Sequence, residues 1–547
     1  MERLSNSEKK STFFGGAAIL TVGVVIVKLI GALYKIPLAN ILGETGNGYF
    51  MSAYNIYSVL LTISTGGLPV ALSKSVSEAR ALGKVNQERR IFWVGLSAFF
   101  TLGLLSFLVM VFGAGPITTA MGNTGAYYGA LALAPSVLFV CCISAIRGYA
   151  QGQGNMTPTA ISQIIEALSK LIVGLTCAYL FLHYADSISD AIPGLAGAKP
   201  LELSAAGAIL GVTAGTIASF LYLVCSHINR TRRDARRGTD TPQAKGGILK
   251  SLVKVAIPIT IGSSVVPIVN FLDSSIVQTR LQSALGLAEE AASALYGNYS
   301  AVGNLYALPS ALMVPFTAAL IPAISAARAR HNPLEAAKVS ESAMRVAMLL
   351  ACPMGFGLSS LAAPIVKLLY PSYDASIAGP ILTILGFASI CTCIVLLCNA
   401  ILQASGFVNL PILTMVIGGV LKILINYTLV GIASINVVGA AAGTLCCFGA
   451  AALLDLFIIR RVLSAAPNYG RIFLKPVLSS AIMGIAAWAC YGLVYRFTNS
   501  NTFGVLAAIL IAVVIYGVLV LVLKAISRDD LSLMPKGDKI AKLLRIQ

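Results

Sequence analysis

Runs of about twenty apolar residues, each long enough as a helix to cross the hydrocarbon core of a bilayer, recur along nearly the whole chain. Fourteen are countable, at about 13–34, 50–73, 91–113, 126–146, 159–183, 203–226, 252–277, 297–326, 343–364, 377–402, 408–432, 437–459, 474–495 and 503–524. They are too long and too uniformly apolar to be the alternating strands of an outer-membrane barrel. Only 11% of the residues are charged, whereas a soluble domain carries about 25%. An all-α polytopic membrane protein of about 14 transmembrane helices is therefore expected. The polar start, with Lys9 and Lys10, leads into an apolar run without a small-residue cleavage site. It reads as a retained first helix rather than a signal peptide.

The net charge of +18 invites a nucleic-acid reading, but its distribution argues against one. Of the 39 Lys and Arg, five fall in loops on one side (Lys35, Lys199, Arg280, Lys367, Arg496) and three within spans (Lys28, Lys170, Lys422). The rest fall on the other side, which the positive-inside rule makes cytoplasmic, together with both termini. The cluster Arg230, Arg232, Arg233, Arg236 and Arg237 reads as a topology signal that also meets anionic lipid. All eleven Cys lie in the apolar runs without a CxxC pair, and only three His occur. Packing residues are expected rather than metal sites or disulfides.

A repeat organises the spans. Gln151, Gly154 and Lys170 recur 252 residues later as Gln403, Gly406 and Lys422, with Pro158 and Pro411 just after each Gly. Gly207 and Gly211 form a GxxxG step that recurs at Gly439 and Gly443, an offset of 232 explained by the outer loop 184–202 of the first copy. Gly43 answers to Gly286. Each copy holds six spans, so the two share one orientation and form a parallel repeat, an arrangement used by transporters that work by alternating access. The expected organisation is an N-lobe at 1–226, a basic cytoplasmic linker at 227–251, a C-lobe at 252–459, a final helix pair at 460–524 and a basic cytoplasmic tail at 525–547.

Charges inside spans are costly and mark cavities or partners. Lys28 and Lys35 lie on one face of the first span, seven residues and about 10 Å apart. Lys35 alone would pass for an interfacial anchor; Lys28 is deeper. Asp273 and Arg280 repeat that spacing in the seventh span, and Asn270 shares their face. Glu166 and Lys170 form an i, i+4 pair, for which mutual neutralisation and cavity lining are both open. Lys422 has Gly418 where Glu166 would stand, so it needs another helix, a bound anion or water; Asp273 is one candidate partner. Asp455 reads as an end-of-helix pair with Arg460. Prolines at 69, 135, 258, 267, 309, 315, 322 and 353 mark kinks where freed carbonyls line a cavity or are simply tolerated. No GxxxxGK[ST], HExxH or GxSxG occurs, so neither P-loop hydrolysis nor those enzyme chemistries are expected. A membrane glycosyltransferase would want acidic or His residues on a sizeable outer loop, and 184–202 offers Asp186, Asp190 and Glu202. A scaffold would have no need of Lys28.

Three stretches carry a resemblance: Lys28–Leu38 with Asn40–Gly43, Thr65–Lys74 and Ala319–Ser325. They resemble the stage V sporulation protein B group of polysaccharide-biosynthesis membrane proteins. Its superfamily also holds lipid II flippases, O-antigen flippases and multidrug (MATE) antiporters. The resemblance implies two six-helix lobes plus a final pair. It also implies flipping of an undecaprenyl-diphosphate-linked sugar, lipid II being the expected form, across a bacterial plasma membrane. In the lipid II flippases, arginines on helices 1, 2 and 8 line a cationic cavity. Lys28 matches the first of these, Tyr34 beside Lys35 the second, and the helix-8 Arg and Glu fall near Asn304 and Ala307. Arg280, Lys170 and Lys422 are then expected to supply charge instead, with Asn304 among the cavity residues and Glu166 and Asp273 available for ion coupling or charge pairing. The last two helices would border a groove for the lipid tail. No cofactor is expected; energy would come from a cation gradient, the membrane potential or consumption of substrate on the far side. A monomer is expected. A cation-coupled drug antiporter is the alternative, although cationic drugs favour acidic cavities and the embedded charges here are mostly basic.

Overall fold

Gly43 takes φ 62° and ψ −170°, a conformation essentially closed to any residue with a Cβ. It divides the first long helix, α1 (Glu2–Thr65), into two runs that correspond to the first two expected spans. The computed structural model describes residues 2–195, 197–234, 238–329, 333–462, 467–523 and 525. After α1 follow α2 (Leu68–Ala81), α3 (Val85–Ala120), α4 (Tyr127–Gly152), α5 (Thr157–Ser169), α6 (Leu175–His183), α7 (Ala185–Ala191), α8 (Pro200–Arg233), α9 (Lys245–Leu285) and α10 (Glu289–Ala329). Then come α11 (Pro333–Ser360), α12 (Ala362–Leu369), α13 (Ala375–Ala404), α14 (Leu410–Leu429), α15 (Val438–Val462), α16 (Tyr469–Thr498) and α17 (Asn501–Val522). A π-helical turn, Lys170–Gly174, joins α5 to α6. No strand occurs among the described residues.

Twelve helices among the described residues are long and apolar enough to cross a membrane. Ile26–Ala81 counts once and holds the end of the first expected span and all of the second; the expected eighth, 297–326, lies on α10, outside the twelve. Pro69 does not kink a span: Gly66 and Gly67 end α1, and Pro69 sits in the first turn of α2, where its missing N–H costs nothing. The basic linker is shorter than expected, because α8 runs to Arg233 and α9 begins at Lys245. Of the tail 525–547, only Ala525 lies within the described residues.

The chain divides into two compact units, Met1–Thr279 with Ala288–Gly297, and Arg280–Leu287 with Asn298–Gln547. The division falls inside α9 and α10 rather than at 251/252. Side chains explain this. In the first unit, the Gly67 N–H donates to Thr260 of α9 at 3.0 Å, and Gln278 of α9 donates to Ser52 of α1 at 2.6 Å. Asn47 donates to the Gly297 carbonyl at 3.0 Å and Asn55 to the Tyr296 hydroxyl at 2.9 Å.

Within each unit the core is built of small residues and aliphatics. Lipid tails are as apolar as Leu, so close backbone approach does much of the holding. A Cβ on Gly211 would overlap the backbone of Gly174 and stand 3.3 Å from the Lys170 carbonyl oxygen. In the second unit a Cβ on Gly443 would overlap the Asn426 side chain and stand 3.3 Å from the Lys422 carbonyl oxygen. The repeat is thus visible at atomic register within each unit. It recurs at the turns: Gly154 (φ +79°) and Gly406 (φ +90°) end α4 and α13. Their N–H groups donate to the carbonyls of Gln151 (2.8 Å) and Gln403 (3.0 Å). The next N–H in each copy reaches back to Ala150 or Leu402 at 2.9 Å, closing a left-handed helix cap. Gly43 and Gly286 likewise share positive φ. The Gln and Gly of the repeated motif are helix caps; the lysines are its polar content.

Candidate functional site

In the first unit, Lys170 opens the π-helical turn, a deviation that widens the helix and often marks a functional position. Its Nζ donates to Glu166 Oε1 at 2.8 Å. The other Glu166 oxygen faces Arg147, 3.4 Å away on α4. Arg147 also donates from Nε to Ser162 at 2.9 Å and from Nη2 to Ser219 on α8 at 3.2 Å. All three charged side chains are largely buried. One carboxylate is therefore shared between two cations, which leaves the group with a net positive charge.

Lys35 extends this charge, since it lies near enough to repel both Lys28 and Lys170. Lys28 and Lys35 are accessible at the surface of the unit, and Gly31 between them has nothing within 4 Å of a notional Cβ. Four cations (Lys28, Lys35, Arg147, Lys170) are thus grouped with Glu166. Tyr54 lies within electrostatic reach of Lys170 and stacks on Phe50, ring centroids 6.1 Å apart. Tyr34, at the other resemblance position, is buried and donates to the Ala208 carbonyl at 3.4 Å; it braces α8. The arrangement can hold a multiply charged anion, with the Lys point charges supplying attraction and the Arg held in place by its three partners.

The second unit keeps Lys422 buried, 5% exposed. Its Nζ lies 3.5 Å from the Tyr299 hydroxyl, which bonds Thr444 at 2.8 Å. Tyr306, bonded to Thr392 at 2.7 Å, also feels the Lys422 charge. Asn304 lies beside the buried Tyr370 hydroxyl. Arg280 caps the end of α14: Nε donates to the Tyr427 carbonyl at 3.0 Å and the guanidinium stacks on the Tyr427 ring at 4.3 Å, using a helix C-terminus that favours cations. Asp273 is buried in the first unit. Asp455 does not pair with Arg460. It is fully buried and accepts from Thr414 at 2.7 Å, whereas Arg460, five residues and about 140° further round the helix, is exposed. Near the last helices, Phe356, Phe387, Gly484, Ile485 and Trp488 line an apolar cavity of about 340 Å³.

Residues 13–328 match the family model described as Polysaccharide biosynthesis protein. The chain belongs to that family. It is 27% identical to stage V sporulation protein B of Bacillus subtilis (strain 168), over 96% of this chain and 98% of that protein. It is 25% identical to the lipid II flippase MurJ of the same organism, over 87% and 88% of the two chains. Among solved structures, lipid II flippase MurJ in an inward closed conformation superposes with a TM-score of 0.69 at 15% identity, covering 92% of this chain and 98% of that one. An inward-facing multidrug MATE transporter gives 0.63 at 14% identity, covering 81% and 98%. The polysaccharide biosynthesis family and these neighbours are transporters and flippases, not enzymes. Within that family fold, Arg147 is the charged residue that sequence reasoning missed. It stands one residue past an apolar run, where the charge distribution assigns it to a cytoplasmic loop; the signal available is Ser162 and Glu166, one helical turn apart on the partner helix.

Proposed function

We propose that this protein flips a polyprenyl-diphosphate-linked oligosaccharide, with the peptidoglycan precursor lipid II as the first candidate, from the inner to the outer leaflet of a bacterial plasma membrane by alternating access. The observation that carries this is the group of four cations around one carboxylate in the first unit. A diphosphate loses its hydration on entering hydrocarbon, and fixed cations in a wet cleft replace that hydration, while the prenyl tail stays in lipid. The apolar cavity beside α16 suits such a tail. A drug antiporter of the same fold is less well served, because a cationic drug would meet like charge at Lys28 and Lys35.

The direct test places the purified protein in vesicles containing a dye-labelled undecaprenyl-diphosphate disaccharide and follows its appearance in the outer leaflet with a membrane-impermeant quencher. Accelerated appearance is expected. In cells, depletion in a strain lacking other flippases should deplete outer-leaflet lipid II; unchanged outer-leaflet labelling would sink the lipid II assignment.

A further inference from the structure

Asp455 is a carboxyl group sealed inside the second unit, with no exposed surface, on a helix long and apolar enough to span a membrane. Its Oδ1 lies 2.7 Å from the Thr414 hydroxyl of α14. Its Oδ2 has no hydrogen-bond partner. Among the described residues no Lys or Arg forms an ion pair with it. A buried carboxylate in that state would be an uncompensated charge, which proteins avoid by taking up a proton.

The Thr414 hydroxyl shows how the proton would be accommodated. It also stands 3.1 Å from the Pro411 carbonyl, yet it owns one hydrogen. With Asp455 ionised, Thr414 must donate to Oδ1, and the Pro411 carbonyl goes without it. With Asp455 protonated on Oδ1, the carboxyl donates to Thr414 and Thr414 donates to Pro411, so one chain runs in a single direction. The two protonation states thus correspond to two settings of one hydroxyl rotor.

The surroundings contain little else that titrates. From α13 comes the buried thiol of Cys398. From α14, the nearest charge beyond Thr414 is Lys422, two turns on and about 12 Å along the helix. From α16, the Tyr469 hydroxyl donates to the Leu456 carbonyl at 2.5 Å and faces Arg460 and Cys398. On α15 itself, Arg460 and Arg461 are exposed and Arg461 covers Phe457. The repeat sharpens the contrast. Ser162, 252 residues before Thr414, holds the permanent charge of Arg147, and the same offset puts Asn399 where Arg147 stands. A slot with a fixed charge in the first unit carries a titratable one in the second.

We infer that Asp455 is a proton-binding site of the second unit, occupied while the carboxyl is sealed as seen here, taking its proton from water at the α15 end bearing Arg460 and returning it to water when the helix packing opens. Its role as a coupling site rests on the transport reading; its existence does not. Infrared difference spectra of the full chain in nanodiscs, between neutral and strongly alkaline pH, should show a protonated-carboxyl C=O band that Asp455→Asn removes. Thr414→Val, which keeps the carboxyl but deletes its partner, should shift that band. A band unchanged by both substitutions, or no band in the wild type, overturns the inference. In vesicles, an imposed pH difference should change the wild-type flipping rate several-fold, and Asp455→Asn should abolish that response while diphosphate-lipid binding persists. A wild-type rate indifferent to the gradient overturns the coupling role; an intact band without any lipid flipping supports the proton site and refutes the substrate assignment instead.

Discussion

Arg147 and Glu166 meet at 3.4 Å across two helices, and Lys170 reaches the same carboxylate from one turn away at 2.8 Å. Removing the shared anion would leave two buried cations facing each other, a loss worth about 3–5 kcal/mol for a broken buried pair. Glu166→Gln should therefore lower thermal stability in nanodiscs more than Arg147→Gln does. The double variant should recover part of the loss, because one of the stranded charges is gone. Simple addition of the two effects would mean that the contact is not energetically coupled.

Lys28 and Lys35 are accessible at the surface of the unit and touch no carboxylate in the ion pairs described. Their removal should spare folding. If they bind the diphosphate, each charge-assisted contact is worth about 1.5–3 kcal/mol, so Lys28→Ala should slow flipping by about tenfold or more with unchanged membrane abundance and melting. Lys28→Arg should keep most of the rate. Full activity of Lys28→Ala would move this residue to a snorkelling anchor.

Close approach at the repeated glycines predicts a graded series. Gly211→Ala would force a Cβ into the Gly174 backbone, and overpacking of this kind costs about 1–3 kcal/mol. Gly443→Ala meets the Asn426 side chain, which can swing, so the cost should be smaller. Gly31→Ala has open space and should be neutral or slightly stabilising. Melting temperatures of the three variants give the order directly.

Asp240 ties the linker to the start of α3. Its carboxylate accepts from the backbone N–H groups of Asn86 (2.9 Å) and Gln87 (2.8 Å), while Arg90 donates to the Pro242 carbonyl at 3.3 Å. Desolvation alone would raise the Asp240 pKa, but those N–H donors outweigh it and hold the group below the usual carboxylate range. A depressed pKa means the contact is complete above the ordinary value and weakens as pH falls through the lowered one. Protease cutting within 234–244 should thus rise at acidic pH in the wild type and be high at every pH in Asp240→Ala. Equal cutting in both proteins at neutral pH would show that this tie does not hold the linker.

Arg280 uses its Nε and its flat face on Tyr427, features a lysine lacks. Arg280→Lys should cost about 1 kcal/mol of stability and leave flipping intact. A loss of flipping at full stability would return Arg280 to the substrate path.

The helices and the duplication were legible because both are written in local chemistry: apolar length, turn glycines with positive φ at 43, 154, 286 and 406, and small residues four apart. Charge partners were less so. Arg147 lies one residue beyond an apolar window, and hydropathy carries no information on whether a side chain at that edge turns inward to Ser162 and Ser219 or outward to water. Sequence proximity matches Asp455 to the nearest cation along the chain, whereas the angular position of Arg460 and the hydroxyl of Thr414 on another helix decide its partner. For Lys422 the local pattern leaves another helix, a bound anion and water all open, and nothing in it names Tyr299, whose hydroxyl lies 3.5 Å away. The division inside α9 and α10 is illegible for the same reason, since Ser52, Thr260 and Gln278 are polar residues in apolar helices whose pairing is long-range.

A gene cut at the linker would not reproduce the two ancestral halves. The first unit takes α9 from beyond the linker and the stretch 288–297 as well, so a fragment ending at residue 234 lacks the partners of Ser52, Asn47, Asn55 and Gly67. The first fragment would have to find the second in the membrane before the first unit could be completed. Duplication therefore left a first unit that is no longer encoded on one side of the linker.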